Sequence, residues 1–135
     1  MILVDSSAWI EYDRATATPV DRHLTHLITE GADVATTEPV AMELLAGAKN
    51  EQAADRLRNL FASLQWIPVD PYADFEGAAR VYRACRSRGV TPRGLIDCMI
   101  ASIALRAGGR VLAADGDFEQ IASVVPLRLE AVDSG

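Results

Sequence analysis

This 135-residue sequence contains no long apolar run. No stretch reaches the roughly 18 apolar residues a membrane span needs, so none is expected. The opening run Ile2-Leu3-Val4 is cut short by Asp5, which argues against the apolar core of a secretory leader. Cysteine is scarce. Cys85 and Cys98 both fall inside helical patterns and, in a chain expected to be cytoplasmic, read as buried reduced thiols rather than a disulfide. Lysine is scarcer still: Lys49 stands alone beside twelve arginines, whose planar fork suits phosphate or carboxylate. Histidine is limited to His23 and His26, three apart on one helical pattern. No third ligand lies near them and the glutamate of a zinc-protease motif is missing, so both read as surface histidines. Repeats and low-complexity tracts are absent.

Acids are plentiful: 19 against 13 basic residues give a formal charge of −6. Such a chain is a poor general binder of nucleic acid, because phosphate contacts come from Lys and Arg. It is compatible with an acidic metal pocket. Half of the residues are hydrophobic, which suits one domain, 1–135, with a proper core.

The pattern alternates strands with helices. Ile2-Leu3-Val4 is β-branched and too short for a helix, so it reads as a buried strand, with Ser6 or Ser7 capping the helix that Ala8-Trp9-Ile10 begins. Thr18-Pro19 opens a second helix that stops at Gly31. Val34-Ala35-Thr36 is the next strand. A helix from Val40 to Ala46 and a longer one from Asn50 to about Gln65 follow. Trp66-Ile67-Pro68-Val69 reads as a strand near an edge, since Pro68 cannot donate to a ladder. Helices over about Tyr72–Arg88 and Leu95–Ala107 precede a strand at 110–114, a short helix Glu119–Ala122 and a last strand near Leu127–Leu129. This alternation argues for α/β architecture, a parallel sheet wrapped by helices in three layers. Arg80, Arg83, Arg86 and Arg88 crowd one helix end, where the macrodipole and a solvated face account for them.

Most acids lie where solvent would take them, and a few do not. Asp5 ends the first strand, where open α/β sheets place ligands; as a single acid it also reads as a plain cap or turn residue. Glu43 sits among Pro39, Val40, Ala46 and Gly47 on its helix. Asp97 lies in a helix that is apolar nearly all round; its structural alternative is an ion pair with Arg93, the weaker order of base before acid. Asp115 and Asp117 bracket a glycine at a strand end, where an Asx turn competes with a ligand role. Clustered carboxylates repel, so together these acids imply a hard cation, Mg²⁺ or Mn²⁺, rather than zinc. Such an ion is suited to phosphoryl chemistry.

Four motifs in order carry a family resemblance over essentially the whole chain. They are Val4-Asp5-Ser6-Ser7-Ala8-Trp9-Ile10, Met42-Glu43-Leu44-Leu45-Ala46-Gly47, Leu95-Ile96-Asp97-Cys98 and Asp115-Gly116-Asp117-Phe118. The chain resembles the PIN-domain nucleases, in particular the VapC toxins of bacterial toxin–antitoxin pairs. The resemblance implies a five-stranded parallel sheet in 3-2-1-4-5 order and Mg²⁺- or Mn²⁺-dependent endoribonuclease activity leaving 5′-phosphate and 3′-hydroxyl ends. Asp5, Glu43, Asp97 and Asp115 match the family's acidic quartet as catalytic and metal-binding residues. Asp117 matches a further acid, and Ser6 a supporting hydroxyl. The implied partners are structured RNA such as tRNA, a second copy of the chain, and a VapB antitoxin whose C-terminal segment fills the groove. RNA would be held by arginines, Arg93 first, one helical turn from Asp97, with Arg14 and Arg86 further candidates. Ala113-Ala114 departs from the polar residues many relatives carry before the fourth acid, and Gly116 from a larger residue, which leaves the fourth ligand open between Asp115 and Asp117. The rival readings are a catalytically inactive PIN-like binding module, a phosphoaspartyl phosphatase or receiver using Asp5, and an unrelated acidic domain with structural ion pairs. The phosphatase would want an acid where Ser7 stands, and the receiver a late lysine.

Overall fold

The computed structural model describes residues 1–133. Its elements run β1 (Ile2–Val4), α1 (Ser6–Asp13), α2 (Pro19–Thr29), β2 (Val34–Thr36), α3 (Glu38–Ala46), α4 (Glu51–Ala62), β3 (Gln65–Trp66), α5 (Pro71–Ser87), α6 (Leu95–Ala107), β4 (Arg110–Leu112), α7 (Asp117–Ala122) and β5 (Arg128–Leu129). All four pairings are parallel and the sheet order is β3-β2-β1-β4-β5. β1 is central, fully apolar and buried on both faces, as a strand between helical layers must be.

Chain direction sorts the helices. From β1 the chain steps outward to β2 and β3, then crosses back to β4 and β5 on the other side. Right-handed crossovers therefore put α1–α4 on one face and α5–α7 on the opposite face. The packing agrees: α1 touches α2 and α3, α3 touches α4, α5 lies along α6, and α6 touches α7. Leu3, Val4, Trp9, Ile100, Ile103, Leu112 and Phe118 are the fully enclosed centre of the core. Each large apolar side chain so enclosed contributes about 1.5–3 kcal/mol. The change of winding direction falls between β1 and β4, and the crevice at their carboxyl ends is the place for a ligand.

Several boundaries differ from the sequence reading. Asp5 itself caps α1, its Oδ2 accepting the Ser7 amide at 3.1 Å, so neither Ser6 nor Ser7 is the cap. The fourth helix ends at Ala62, not near Gln65, because Gln65 and Trp66 pair with Ala35 and Thr36 of β2. β3 is an edge strand, shorter than expected. One further bond, Ile67 N–H to Thr36 O at 2.9 Å, follows before Pro68 ends the ladder. β4 closes at Leu112 rather than at 114, and α7 begins two residues early, at Asp117. His26 is exposed, but His23 is only partly so: its Nε2 lies 3.0 Å from Glu130 Oε2, tying α2 to the residue after β5.

Two buried acids escaped the sequence reading. Asp74 has no exposed surface. It receives Arg106 Nε and Nη2 at 3.0 and 2.8 Å, Ser102 Oγ at 3.3 Å and the Asp70 amide at 2.8 Å, and these donors hold its carboxyl below the usual range despite burial. Asp21, 8 % exposed, accepts the Ala17 amide at 2.8 Å while its own N–H reaches the Thr18 cap. Both sit in the first turn of a helix opened by an Asp-Pro or Thr-Pro pair, and that capping arrangement was the available sign. Cys85 and Cys98 are buried free thiols, as expected.

Candidate active site

The parallel register sets the site. Val4 lies opposite Leu112, and the Asp5 amide donates to Leu112 O at 2.8 Å, so Asp5 stands at the carboxyl end of the central strand beside the β4 loop. Asp5 is 2 % exposed. Its two oxygens differ. Oδ2 accepts the Ser7 amide and the Ser7 hydroxyl, the latter at 2.6 Å, whereas Oδ1 is buried with no hydrogen-bond partner. Ser7 Oγ also accepts the Ala114 amide at 2.9 Å, so one hydroxyl fixes both Asp5 and the loop leading to Asp115. Sequence reasoning chose Ser6 and missed Ser7. The sign was its place two residues past the capping acid, within reach of that acid's carboxylate. Ser6 does act nearby: its hydroxyl donates to Glu43 Oε1 at 3.1 Å, joining α1 to α3.

The structure brings the five acids close enough that each acts electrostatically on at least one other. Burial pushes the Asp5 carboxyl up; the Ser7 bonds oppose this and the Asp115 charge adds to it. Glu43 is raised by burial, then by Asp5 and Asp115, against the Ser6 bond. Asp97 is pushed up to about 7 by burial, then by the charges of Asp5, Asp115 and Asp117. Asp115 thus acts on all three other acids of the quartet, and Asp117 on Asp97 alone. Arg93 does not neutralise Asp97. Its Nε lies 3.9 Å from Asp117 Oδ1, and its side chain is 85 % exposed. Arg14 and Arg86 are exposed at the ends of α1 and α5, the latter over the Tyr82 ring.

The donor set fits a hard divalent cation. It is all carboxylate oxygen, it contains a bare buried oxygen of Asp5, and neighbouring acids raise the pKa of Asp5, Glu43 and Asp97. Each of these is costly without a positive charge to offset it. Among the described residues no three such side chains enclose an ion ready-made. Repulsion keeps bare carboxylates apart, and Mg²⁺ characteristically takes only one or two of them and keeps several waters. Thr36 and Thr37, at the end of β2, also bury hydroxyls without partners. The ladder that sets Ile2 against Val34 carries Asp5 level with Thr37.

Comparison with known proteins agrees with this architecture. The model of the PIN domain family matches residues 2–124. A VapC ribonuclease of Mycobacterium bovis and ribonuclease VapC11 of Mycobacterium tuberculosis are each 42% identical over 129 residues, 95% of this chain and 96% of theirs. Among solved structures, VapBC2 from Rickettsia felis superposes with a TM-score of 0.77 at 19% identity, covering 96% of this chain and 98% of that one. VapC20 of Mycobacterium tuberculosis, a sarcin-ricin loop cleaving toxin, gives 0.67 at 21% identity over 95% and 99%. A sheet built around β1, with acids converging past its end, and matches over nearly the full length place this chain in the PIN-domain family, among the VapC ribonucleases.

Proposed function

We propose that this chain is a metal-dependent endoribonuclease, the toxin of a toxin–antitoxin pair, and that the five acids are its catalytic centre. The observation that carries this is Asp5: a buried carboxylate at the winding switch of the sheet, with one oxygen pinned by Ser7 and the other bare. Asp5, Asp97 and Asp115 would hold Mg²⁺ or Mn²⁺. Glu43, steadied by Ser6, would position the attacking water or take its proton. When bound, the cation supplies a water deprotonated near neutral pH and offsets charge on the attacked phosphate. Asp115 is the better fourth ligand because it acts on Asp5, Glu43 and Asp97, while Asp117 serves Asp97 and steadies Arg93. Ser7 keeps Asp5 in one rotamer. Arg93 reaches a phosphate beside the acids, and the antiparallel α5–α6 pair brings the α5 end that carries Arg86 toward the same side.

The relatives' names support ribonuclease action, and the Rickettsia toxin's complex supports a VapB-type antitoxin partner. Structured RNA, tRNA first, is the substrate to try, and a homodimer is the assembly to look for. The test is cleavage of total tRNA by the purified protein with Mg²⁺ or Mn²⁺ against EDTA, beside Asp5→Asn. Discrete metal-dependent cuts, absent in the variant, are expected. If no RNA is cut and neither cation shifts the melting temperature, the reading fails in favour of an inactive PIN-like binding module.

A further inference from the structure

Two cavities reach the acid cluster, and their charges differ. One, of about 580 Å³, lies between the ends of β4 and β5 and α7, and Asp115 lines it. Its charged lining residues are Asp115, Glu119 and Glu130, the last already paired with Arg110 at 3.2 Å, so its lining offers a polyanion no free cation. The other, of about 420 Å³, lies between α1, the end of α3 and the start of α4, and Glu43 lines it. Three cations line this second cavity: Arg14, Lys49 and Arg56. Arg56 is engaged by Asp13 at 3.6 Å. Arg14 and Lys49 have no acidic partner within 4.0 Å among the described residues, and both are exposed. The lone lysine of the chain therefore stands unpaired on a groove that begins at a catalytic acid. Behind the cations lie Leu44, Leu57 and the 38 % exposed Ile10. An apolar floor with a cationic rim, in a volume within the usual range of ligand sites, matches one nucleotide with its flanking phosphates.

We propose that the α1–α3–α4 groove is the channel along which single-stranded RNA enters the site. A base next to the scissile phosphate rests on Ile10, Leu44 and Leu57, and Arg14 and Lys49 hold the adjacent phosphates. The assignment rests on the nuclease reading and explains how a chain of net charge −6 holds RNA. Positive charge is left unpaired in the lining of one cavity beside the acids, and the lining of the other carries none.

Binding of fluorescein-labelled single-stranded RNA of mixed sequence is measured by anisotropy in an Asp97→Asn background, which binds without cutting. Adding Arg14→Ala with Lys49→Ala should weaken binding about tenfold or more. It should also flatten the slope of log affinity against log salt by about 1.4, the share of two phosphate contacts on a single strand. Arg80→Ala, on α5 and paired with Glu76, should change neither. In the wild-type background the double variant should raise KM and leave kcat within about twofold. Because Lys49 is the sole lysine, acetylation by sulfo-NHS-acetate followed by mass spectrometry gives a second readout: RNA should protect Lys49 and leave the Met1 amine reacting as before. If the double variant binds RNA as tightly as its parent, or RNA leaves Lys49 reactive, the groove is not the RNA channel and is assigned instead to a protein segment; the nuclease reading stands. If the parent binds no RNA and the wild type cuts none, both readings fall together.

Discussion

Asp97 shows how a single side chain can tie stability to the proposed chemistry. Its carboxyl is raised from the usual 3.8 to about 7, so the native state keeps a proton that the unfolded chain has already released across that window. Asp97's contribution to the stability of the metal-free protein therefore falls as pH rises from about 4 to about 7. Thermal melts in EDTA should show this fall, and Asp97→Asn should flatten it and raise the melting temperature near neutral pH, while removing RNA cleavage. An unchanged pH profile in the variant would show that Asp97 titrates normally. Ser7→Ala tests the hydroxyl that clamps Asp5 to the β4 loop. Loss of such an orienting bond should lower metal-dependent cleavage by about 10–100-fold with the fold intact by circular dichroism. The acids were visible in the sequence because a carboxylate in an apolar helix or at a strand end is out of place. Ser7 was not, because a serine in a helix's first turn is ordinary until its partner is known.

At the scale of elements, the α5–α6 pair is held by a clamp at the end of α6 opposite Asp97. Arg106 bridges Asp74 and Pro68 O, and Ser102 meets Asp74 across the same contact. Arg106→Met should destabilise by about 3 kcal/mol in urea unfolding, the low end for breaking a buried pair, because a third of the Arg106 side chain stays in solvent. Gly77 is where the two helices approach: a Cβ there would stand 2.1 Å from Ser102 Oγ, so Gly77→Ala should cost about 1–3 kcal/mol through overpacking. Helix positions were legible from apolar period and caps. The ends of α4 and β3 were not, because Leu64 and Gln65 extend the helical pattern and only pairing with β2 turns Gln65 into a strand.

For the whole molecule, the proposed metal site implies linkage between a cation and the fold. A cation that binds the native cluster stabilises it, and binds better once the protons are gone. Mn²⁺ or Mg²⁺ should therefore raise the melting temperature more at about pH 8 than at about pH 5.5, and not at all in Asp5→Asn/Asp97→Asn. An equal shift in the double variant would place the cation elsewhere. Among the described residues no helix is long and apolar enough to cross a membrane, in keeping with the apolar stretches being short.

By itself the sequence determined the alternation of strand and helix, the central buried strand, and which acids were misplaced for solvent. These follow from local period and from the cost of burying charge, and both can be read within a few residues. Only the tertiary structure decided which oxygen of Asp5 is bare, that Ser7 rather than Ser6 holds it, that Asp74 is buried, and which of two cavities carries unpaired cations. Each of these depends on groups distant in the chain, Asp5 with Asp115 or Asp74 with Arg106. A sheet that winds outward, then crosses back, sets their separation; residue spacing does not.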